Sequence, residues 1–285
     1  MARRPHPRTM AGTPTLDRIA VHPVKSLDPH PVDRATVLEN GGLTHDREFA
    51  MVDAEGNYVN GKRERATHRL RSRFHPPGGV GEDDDGPALS LRPNDGERWT
   101  RFSLVDGERG PLEAWLTDYF GYEVRVERDV RGGYPDDTHA AGPTVVANGT
   151  LAAVASWFDF DANEARRRLR PNLVVDAPAF WEDRLYSSTD RERVVPFSIG
   201  DVTFEGVNPC QRCVVPSRDP DTGEETPGFR ERFVERRRET RPEWAGEAWF
   251  DHDFRLMVNT TVPPGTVGET VAIDDPVVVG EERSR

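Results

Sequence analysis

The two cysteines of this chain are the residues with the widest range of chemistry. Cys210 and Cys213 stand as C-x-x-C within the segment 207–215, and the 285-residue chain has no other cysteine. A thiolate is both a strong nucleophile and a soft ligand for transition metals. The pattern predicts that any thiol chemistry of this protein takes place at this segment.

Taken alone, the cysteine pair is compatible with half of a zinc site, a redox dithiol or two small core residues. A structural zinc site uses four ligands, and the chain has neither a second C-x-x-C nor a histidine pair at zinc-finger spacing. This argues against zinc. A thioredoxin-like pair would open a helix, whereas the stretch 214–216 is predicted to continue as extended chain.

Several basic residues are candidates for binding an anion. Lys25 and Lys62 are the only lysines among 38 basic residues. Lys25 follows a predicted strand and precedes Ser26, and a compact ammonium beside a hydroxyl suits phosphate. Arg47 and Arg170 are similar candidates. Each residue alone is more often a solvated strand end or a surface ion pair, so the residue types leave both interpretations open.

The composition limits the partners. With 50 acidic and 38 basic residues, the formal charge is −12, which disfavours nucleic acid because phosphates would be repelled. No run approaches the roughly 20 apolar residues that span a bilayer. We therefore expect a cytoplasmic protein with no membrane partner. The acidic, lysine-poor composition fits a halophile-like surface in a saline cytoplasm, and a GC-rich genome that favours arginine codons would explain it equally well.

The elements that must position these residues are mostly short strands. Apolar and alternating patterns predict strands at 16–24, 36–38, 47–52, 88–92, 122–128, 144–147, 173–175, 194–197, 202–207, 255–259 and 271–279. Turn signals separate them, including a hairpin turn at 53–57. This organisation predicts a mainly β protein of the α+β class, with two β-barrel-like domains and peripheral helices.

Helices are predicted at fewer places. Apolar residues at helical spacing predict helices at 111–120, where Gly121 marks the end, and at 163–169. A further helix is predicted to begin near Thr150, whose hydroxyl would cap its first turn. The charged run 231–241 is most simply the solvated face of a helix.

Taken in order, several segments resemble the MOSC family, which is named for the C-terminal domain of molybdenum cofactor sulfurase, in its form with an N-terminal β-barrel domain. These segments are Pro23-Val24-Lys25-Ser26, the stretch 42–47, the hairpin 53–57, Arg170-Pro171-Asn172, Ile199-Gly200-Asp201, and Cys210-Gln211-Arg212-Cys213 with 219–223. Their co-occurrence is specific where each alone is not. The resemblance implies a MOSC N-terminal β-barrel domain at 13–130 and a MOSC domain at 135–281. The polar, turn-rich composition of 131–142 independently predicts a linker between two domains.

The resemblance also implies a cofactor. Similar family members include the mitochondrial amidoxime-reducing component and bacterial relatives, which carry a pyranopterin molybdenum cofactor and reduce N-hydroxylated compounds. By this likeness Cys213 would be the catalytic thiolate ligand to molybdenum, and Cys210 a neighbour that does not bind the metal. The cofactor-binding residues would be Lys25, Ser26, Arg47, Thr150, Arg170 and Asn172. Cationic side chains suit a phosphate, and molybdenum accepts a soft thiolate.

The function implied is a molybdenum-cofactor-dependent oxidoreductase acting on N-hydroxylated or N-oxide small molecules. The chain has no further cysteines for an iron–sulfur cluster, so electrons are expected from a separate ferredoxin- or cytochrome-like protein. Two alternatives stay open. One is a carrier or binding module that holds the cofactor for other enzymes, and the other is a metal-free redox protein that uses the cysteine pair.

Overall fold

The computed structural model describes residues 12–78, 86–188, 190–245 and 249–285. Within these ranges there are sixteen strands and four α-helices, so the predicted mainly β, α+β class is confirmed. The strands are β1 (Thr15–Val21), β2 (His30–Val32), β3 (Arg34–Thr36), β4 (Phe49–Asp53), β5 (Leu70–His75), β6 (Ala88–Pro93), β7 (Thr100–Ser103), β8 (Val124–Arg128), β9 (Val145–Ala147), β10 (Leu173–Asp176), β11 (Arg193–Ile199), β12 (Val202–Gln211), β13 (Arg255–Thr261), β14 (Thr270–Ala272), β15 (Val277–Val279) and β16 (Arg283–Ser284).

The helices lie mainly in the second half of the chain. They are α1 (Gly110–Phe120), α2 (Asn148–Phe158), α3 (Ala162–Leu169) and α4 (Phe229–Thr240), and short 3₁₀ turns occur at Arg65–Arg69, Trp181–Leu185, Val215–Ser217 and Pro264–Thr266. Across the four described ranges, no helix has both the length and the apolar character that a membrane span requires.

The largest sheet combines strands from both halves of the chain. Its order is β15-β11-β12-β13-β9-β10-β1-β2, with β16 beside β11. β1 pairs antiparallel with β10, so that Leu16 lies opposite Val175 and Ile19 opposite Leu173. β3 likewise pairs with β14. The first strands of the chain are therefore hydrogen bonded to its second half, across the predicted domain border, whose position stays a prediction.

A second core forms within the first half. β4 pairs with β8, and β5, β6 and β7 form a three-stranded sheet. Phe49, Leu91 and Leu116 are fully or almost fully buried between these strands and α1. Val21 belongs to the large-sheet core and Val24 to this second core. The chain thus passes from one core to the other just before Lys25, which places that residue at the junction.

The helices α2, α3 and α4 cover one face of the large sheet. Their apolar residues form a third core with residues of β9, β10 and β13, and it contains Val154, Leu169 and Phe233. Phe158 stacks on Phe229 at a ring distance of 4.2 Å, which joins the end of α2 to the start of α4. α3 ends in this core at Leu169, and Arg170 is the next residue along the chain.

One predicted turn and one predicted helix end are confirmed. The Asp53 amide donates to the carbonyl of Asn57 at 2.9 Å, which closes the predicted hairpin. α1 ends at Gly121, whose φ of 79° is the left-handed conformation that glycine adopts without strain.

Other local predictions were wrong. α2 begins at Asn148 with Ala147 as its N-cap, so Thr150 lies inside the helix and does not cap it. The predicted strand 271–279 is two strands, because Asp274 adopts a φ of 72° and the Asp275 carboxylate accepts from the Ala272 amide at 2.7 Å. Short aspartate side chains favour such turns over a continuous ladder.

The segment after Cys213 and the charged run also differ from expectation. Val215–Ser217 forms a 3₁₀ turn where extended chain was predicted, and the Ser217 hydroxyl donates to the carbonyl of Val214 at 2.7 Å. The run 231–241 does contain helix α4, but its face is not wholly solvated. Arg237 is completely buried, because it pairs with a carboxylate in the core.

Candidate functional site

A cavity of about 550 Å³ is lined by residues from both halves of the chain. Both lysines and both cysteines of the protein lie on its wall. Among the described residues, its lining contains nine lysine or arginine side chains against four aspartates, although the whole chain carries a formal charge of −12. The cations are Lys25, Arg47, Lys62, Arg71, Arg167, Arg168, Arg170, Arg212 and Arg218. Such a concentration of positive charge in a concave site favours an anionic ligand.

The backbone around this cavity is unusually strained. Of the eight described non-glycine residues with positive φ, four line the cavity, and these are Ser26, Arg47, Arg170 and Met257. Side chains disfavour this left-handed conformation, and such residues concentrate at functional sites. Arg170 reaches it as the residue that ends α3, with its amide bonded to the carbonyl of Arg166 at 2.8 Å.

Lys25 is held by a ring of oxygen atoms. Its amide donates to Phe49 of β4 at 2.8 Å, which fixes the backbone at the junction between the cores. Its Nζ donates to the carbonyls of Tyr134 at 2.7 Å and Pro135 at 3.3 Å, and to Asp136 Oδ1 at 2.9 Å. Burial lowers the pKa of Lys25, and Asp136 offsets part of this effect.

Arg47 lies beside two carboxylates. Its Nη1 donates to Asp46, and its Nε lies 3.5 Å from Asp136 Oδ2. Burial alone would lower the pKa of Arg47, but Asp46 and Asp136 raise it above its usual value. Asp136 shows the reciprocal effect, since burial would raise its pKa but Arg47 and Lys25 hold it well below the usual range.

Asn172 supports Arg47 through a network of side-chain hydrogen bonds. Its Oδ1 accepts from the amide and hydroxyl of Thr144, both at 3.2 Å, and from Arg47 Nη1 at 3.5 Å. Its Nδ2 donates to the Ala20 carbonyl at 3.1 Å. The side chain is almost completely buried. Asn172 therefore fixes Arg47 and connects β1 to the segment before β10.

Arg170 and His22 form a second buried pair at the cavity. Arg170 Nη2 donates to the Leu27 carbonyl at 2.7 Å and to His22 Nδ1 at 3.0 Å. Burial, Arg170 and Arg47 hold the pKa of His22 well below its usual value, so this imidazole is neutral. Burial and then Arg47 lower the pKa of Arg170 to about 10. The cavity therefore holds more positive charge than its own carboxylates compensate.

The two cysteines occupy different positions on the wall. Both are free thiols of intermediate exposure. Cys210 lies in β12, and its Sγ accepts from Arg212 Nη1 at 3.1 Å. Arg212 Nη2 also donates to the Leu169 carbonyl at 2.9 Å, which ties this segment to the end of α3. Cys213 lies beyond the end of β12, in the segment before the 3₁₀ turn.

The turn after Cys213 docks on the first half of the chain. The Asp219 carboxylate accepts from the Thr222 amide at 2.8 Å, and Arg69 Nε donates to the Thr222 carbonyl at 3.0 Å. Gly223 has a φ of 73°, and a Cβ there would lie 2.7 Å from the Arg65 carbonyl oxygen, so no other residue fits without a shift. This turn fixes the end of the cysteine segment against the opposite wall.

Thr150 is the one predicted site residue that the structure places elsewhere. It does not line the cavity. Its side chain is fully buried, and its hydroxyl donates to Glu182 Oε2 at 2.8 Å. The Thr150 hydroxyl oxygen also accepts from the Phe180 amide at 2.6 Å. The role of Thr150 as a cofactor contact stays a prediction, and its position in the core does not support it. The structure brings the other predicted residues together on the wall of one cavity. They are Lys25, Ser26, Arg47, Arg170, Asn172 and Cys213.

Sequence reasoning missed several wall residues. Lys62 carried a usable signal, because it is the second of only two lysines, but it was not assigned to the site. Arg212 stands inside the cysteine motif and was equally open to assignment. Asp136 gave no signal of its own, since it lies in a polar stretch that resembles an ordinary linker.

Comparison with known families now decides the identity of the fold. A family model described as the MOSC N-terminal beta barrel domain matches residues 13–121, and one described as the MOSC domain matches residues 144–277. The chain belongs to the MOSC domain family. The two MOSC matches occur in the order that the sequence motifs implied, and the cavity is lined by residues from both.

The MOSC chain is also similar to larger curated proteins. It is 26% identical over 239 residues to the molybdenum cofactor sulfurase of Drosophila mojavensis, and 24% identical over 248 residues to that of Drosophila persimilis. Each match covers 75% of this chain, but 29% and 30% of the relative. The chain spans about 30% of the length of the relatives it matches. These matches support a function related to the molybdenum cofactor.

Proposed function

We propose that this MOSC protein binds the molybdenum cofactor in its cation-rich cavity and reduces N-hydroxylated or N-oxide small molecules. The observation that carries the proposal is the composition of the cavity wall. Nine cationic side chains face four aspartates, and both cysteines lie on the same wall. An anionic, thiolate-binding metal cofactor matches this combination better than a neutral ligand does.

Buried polar atoms on the wall support the fit of an anionic group. Arg71 Nε and Arg212 Nε are buried and have no hydrogen-bond partner among the residues that the structure describes. A buried donor without an acceptor is costly, and a charged acceptor would remove that cost. The lowered pKa of Arg170, to about 10, has the same origin, since burial and Arg47 both disfavour its charge. An anion in the cavity would satisfy both features.

The roles of the wall residues follow from their positions. Lys25, Ser26 and Arg47 would hold the phosphate and the pterin, and Arg170 would provide a further cation. Cys213 would supply the thiolate for the metal. When bound, the cofactor would supply a redox-active metal that can take oxygen from an N–O bond. The residues of the described ranges contain no group of three or more His, Cys, Asp or Glu that could hold a metal ion.

The overall reaction sets the demand for electrons. Converting an N–OH group to N–H and water consumes two electrons and two protons. We propose that a separate ferredoxin- or cytochrome-like protein delivers the electrons. The cavity wall orients the substrate and the cofactor, and its cations stabilise negative charge there.

The cysteine pair offers a matched test. Cys213→Ala and Cys210→Ala remove the same thiol from positions three residues apart, and only the first would remove a metal ligand. Both proteins would be purified from a host that makes the cofactor and assayed with an amidoxime and an N-oxide under a chemical reductant. We expect Cys213→Ala to lose reduction and Cys210→Ala to keep most of it. An unchanged rate in Cys213→Ala would rule out the proposed role.

A second candidate is a carrier that holds the cofactor, or a sulfur-modified form of it, for other enzymes. The names of the curated relatives favour it, since they are molybdenum cofactor sulfurases. A carrier and a reductase would both retain the cofactor, so only turnover separates them. Cofactor-loaded protein that reduces none of the N–O compounds but restores activity to a cofactor-free molybdoenzyme would favour the carrier.

A further inference from the structure

Asp136 is the carboxylate at the centre of the cavity's cation cluster. Its Oδ1 lies 2.9 Å from Lys25 Nζ and 3.9 Å from Lys62 Nζ, and its Oδ2 lies 3.5 Å from Arg47 Nε. Both lysines of the chain therefore converge on one side chain. Asp136 lies between β8 and β9, a stretch with neither helix nor strand.

The exposure of these side chains shows how the carboxylate is placed. The Asp136 side chain is 54% exposed, whereas those of Lys25 and Arg47 are 9% and 13% exposed. The carboxylate thus covers buried cations from the solvent side. Because Asp136 belongs to a loop, we expect that it can leave the cations without a rearrangement of either core.

A buried cation without a counter-charge is expensive, because its lost hydration is not repaid. Asp136 repays part of this cost for Lys25 and Arg47. A phosphate that bound the same two cations would carry more negative charge and would compete with the carboxylate for one position. The two anions are therefore mutually exclusive, since their close approach would be repulsive.

We propose that Asp136 is an internal substitute for the ligand's anionic group, which occupies the cation cluster until a phosphate displaces it together with its loop. The inference rests on the proposed function in one respect, namely that the cavity takes an anionic ligand. Asp136 then opposes ligand binding and stabilises the ligand-free fold. A residue with a purely structural role would instead favour both ligand binding and the stability of the fold.

The neighbouring residue provides a matched control. Asp137 also lines the cavity, and its carboxylate accepts from Asn259 Nδ2 at 3.2 Å and from the His139 amide at 2.9 Å. Asp137→Asn removes the same charge from the same loop. Asp136→Asn removes it from the cation cluster. Any difference between the two variants reports the contacts with Lys25, Arg47 and Lys62.

The test uses inorganic phosphate and protein made without the cofactor, with binding followed by isothermal titration calorimetry. We expect Asp136→Asn to bind phosphate about tenfold more tightly than wild type, the size of one charge-assisted contact, and Asp137→Asn to differ by about threefold at most. The difference should shrink as salt rises. Without phosphate, Asp136→Asn should also unfold at a lower temperature than Asp137→Asn.

Wild-type protein gives an independent check that needs no variant to fold. Hydrogen exchange of the amides in 131–142 should accelerate when phosphate binds, because the loop leaves with Asp136. Unchanged exchange, phosphate binding by Asp136→Asn no tighter than by Asp137→Asn, or no binding by any of the three proteins would overturn the inference. Protein that shows the predicted phosphate behaviour but never retains molybdenum would contradict the proposed function alone.

Discussion

The cavity and the core beneath α2 and α4 both gather charged side chains, but with opposite balances of positive and negative charge. In the cavity, nine cations face four aspartates, and the space is open to solvent. In the core, a closed polar cluster places two carboxylates beside one arginine. This core cluster consists of Thr150, Glu182, Asp183, Tyr186 and Arg237, all of which are buried.

Burial favours a proton on the core cluster, whereas the excess positive charge of the cavity favours an anion. Arg237 Nη2 donates to Asp183 Oδ1 at 2.5 Å, and the Tyr186 hydroxyl donates to the same oxygen at 3.1 Å. Burial, and then Asp183, raise the pKa of Glu182 to about 7. Excess charge that is sealed from solvent takes up a proton, whereas excess charge in an open cavity recruits an ion. This contrast distinguishes a structural cluster from a site.

The largest expected effect concerns the arginine of the core cluster. Arg237→Met would leave Asp183 buried without its cation, so we expect a loss of about 3–5 kcal/mol in the free energy of unfolding. Arg236→Met is the matched control. Arg236 pairs with Glu239 at 3.1 Å, and both side chains are at least half exposed, so its loss should cost about 0–1 kcal/mol.

Urea unfolding of both variants makes the measurement. Equal costs for Arg237→Met and Arg236→Met would contradict the assignment of α4's inner face to a charged core. They would show instead that the whole charged run is solvated, as the sequence suggested.

The next effect is the pH dependence of stability. The pKa of Glu182, about 7 when folded, lies above its ordinary 4.5. Asp183 and Arg237 are the charged groups that act on it, and Tyr186 interacts with it as well. The folded state therefore keeps a proton that the unfolded state releases. Stability is greatest at low pH for this group and falls as pH rises from about 4.5 to 7, by about 1.4 kcal/mol per unit of pKa difference.

Glu182→Gln should remove the contribution of Glu182 to the pH dependence, because the amide does not titrate. Unfolding free energies at a series of pH values between 4.5 and 8 make the comparison. Glu239→Gln, at the exposed pair on α4, should leave the slope as in wild type. A Glu182→Gln protein with the wild-type slope would show that Glu182 is ionised throughout this range.

The smallest effect concerns the strained backbone of the cavity. Ser26 has a φ of 75°, which glycine adopts freely and alanine does not. Ser26→Gly should therefore be more stable than Ser26→Ala by about 1 kcal/mol. The comparison cancels the loss of the hydroxyl, which both variants share. Equal stability would mean that the backbone relaxes at this position.

Rare residue types made part of the site predictable from sequence. The chain has two cysteines and two lysines, and all four lie on the cavity wall. Family motifs added Arg47, Arg170 and Asn172. Asp136 could not be assigned, because its role depends on contacts with Lys25 and Arg47 that are about a hundred residues away in sequence, and the surrounding polar stretch has no periodic pattern.

Local patterns also failed where tertiary contacts override them. Thr150 was predicted to cap α2 because its type favours that position, but the core uses its hydroxyl to bind Glu182. Periodicity identified most strands, yet it could not reveal that β1 pairs with β10, which is more than 150 residues further along the chain. Strand pairing is a non-local property, and a single strand's pattern does not encode its partner.

The central claim, that the cavity holds the molybdenum cofactor, is tested most directly by metal analysis. Wild type, Arg47→Ala and Arg236→Ala would be purified from a host that makes the cofactor, checked for folding by circular dichroism, and analysed by mass spectrometry. We predict near-stoichiometric molybdenum in wild type and Arg236→Ala, and a marked loss in Arg47→Ala. Wild-type protein that retains no molybdenum, and does not bind cofactor added afterwards, would contradict the account.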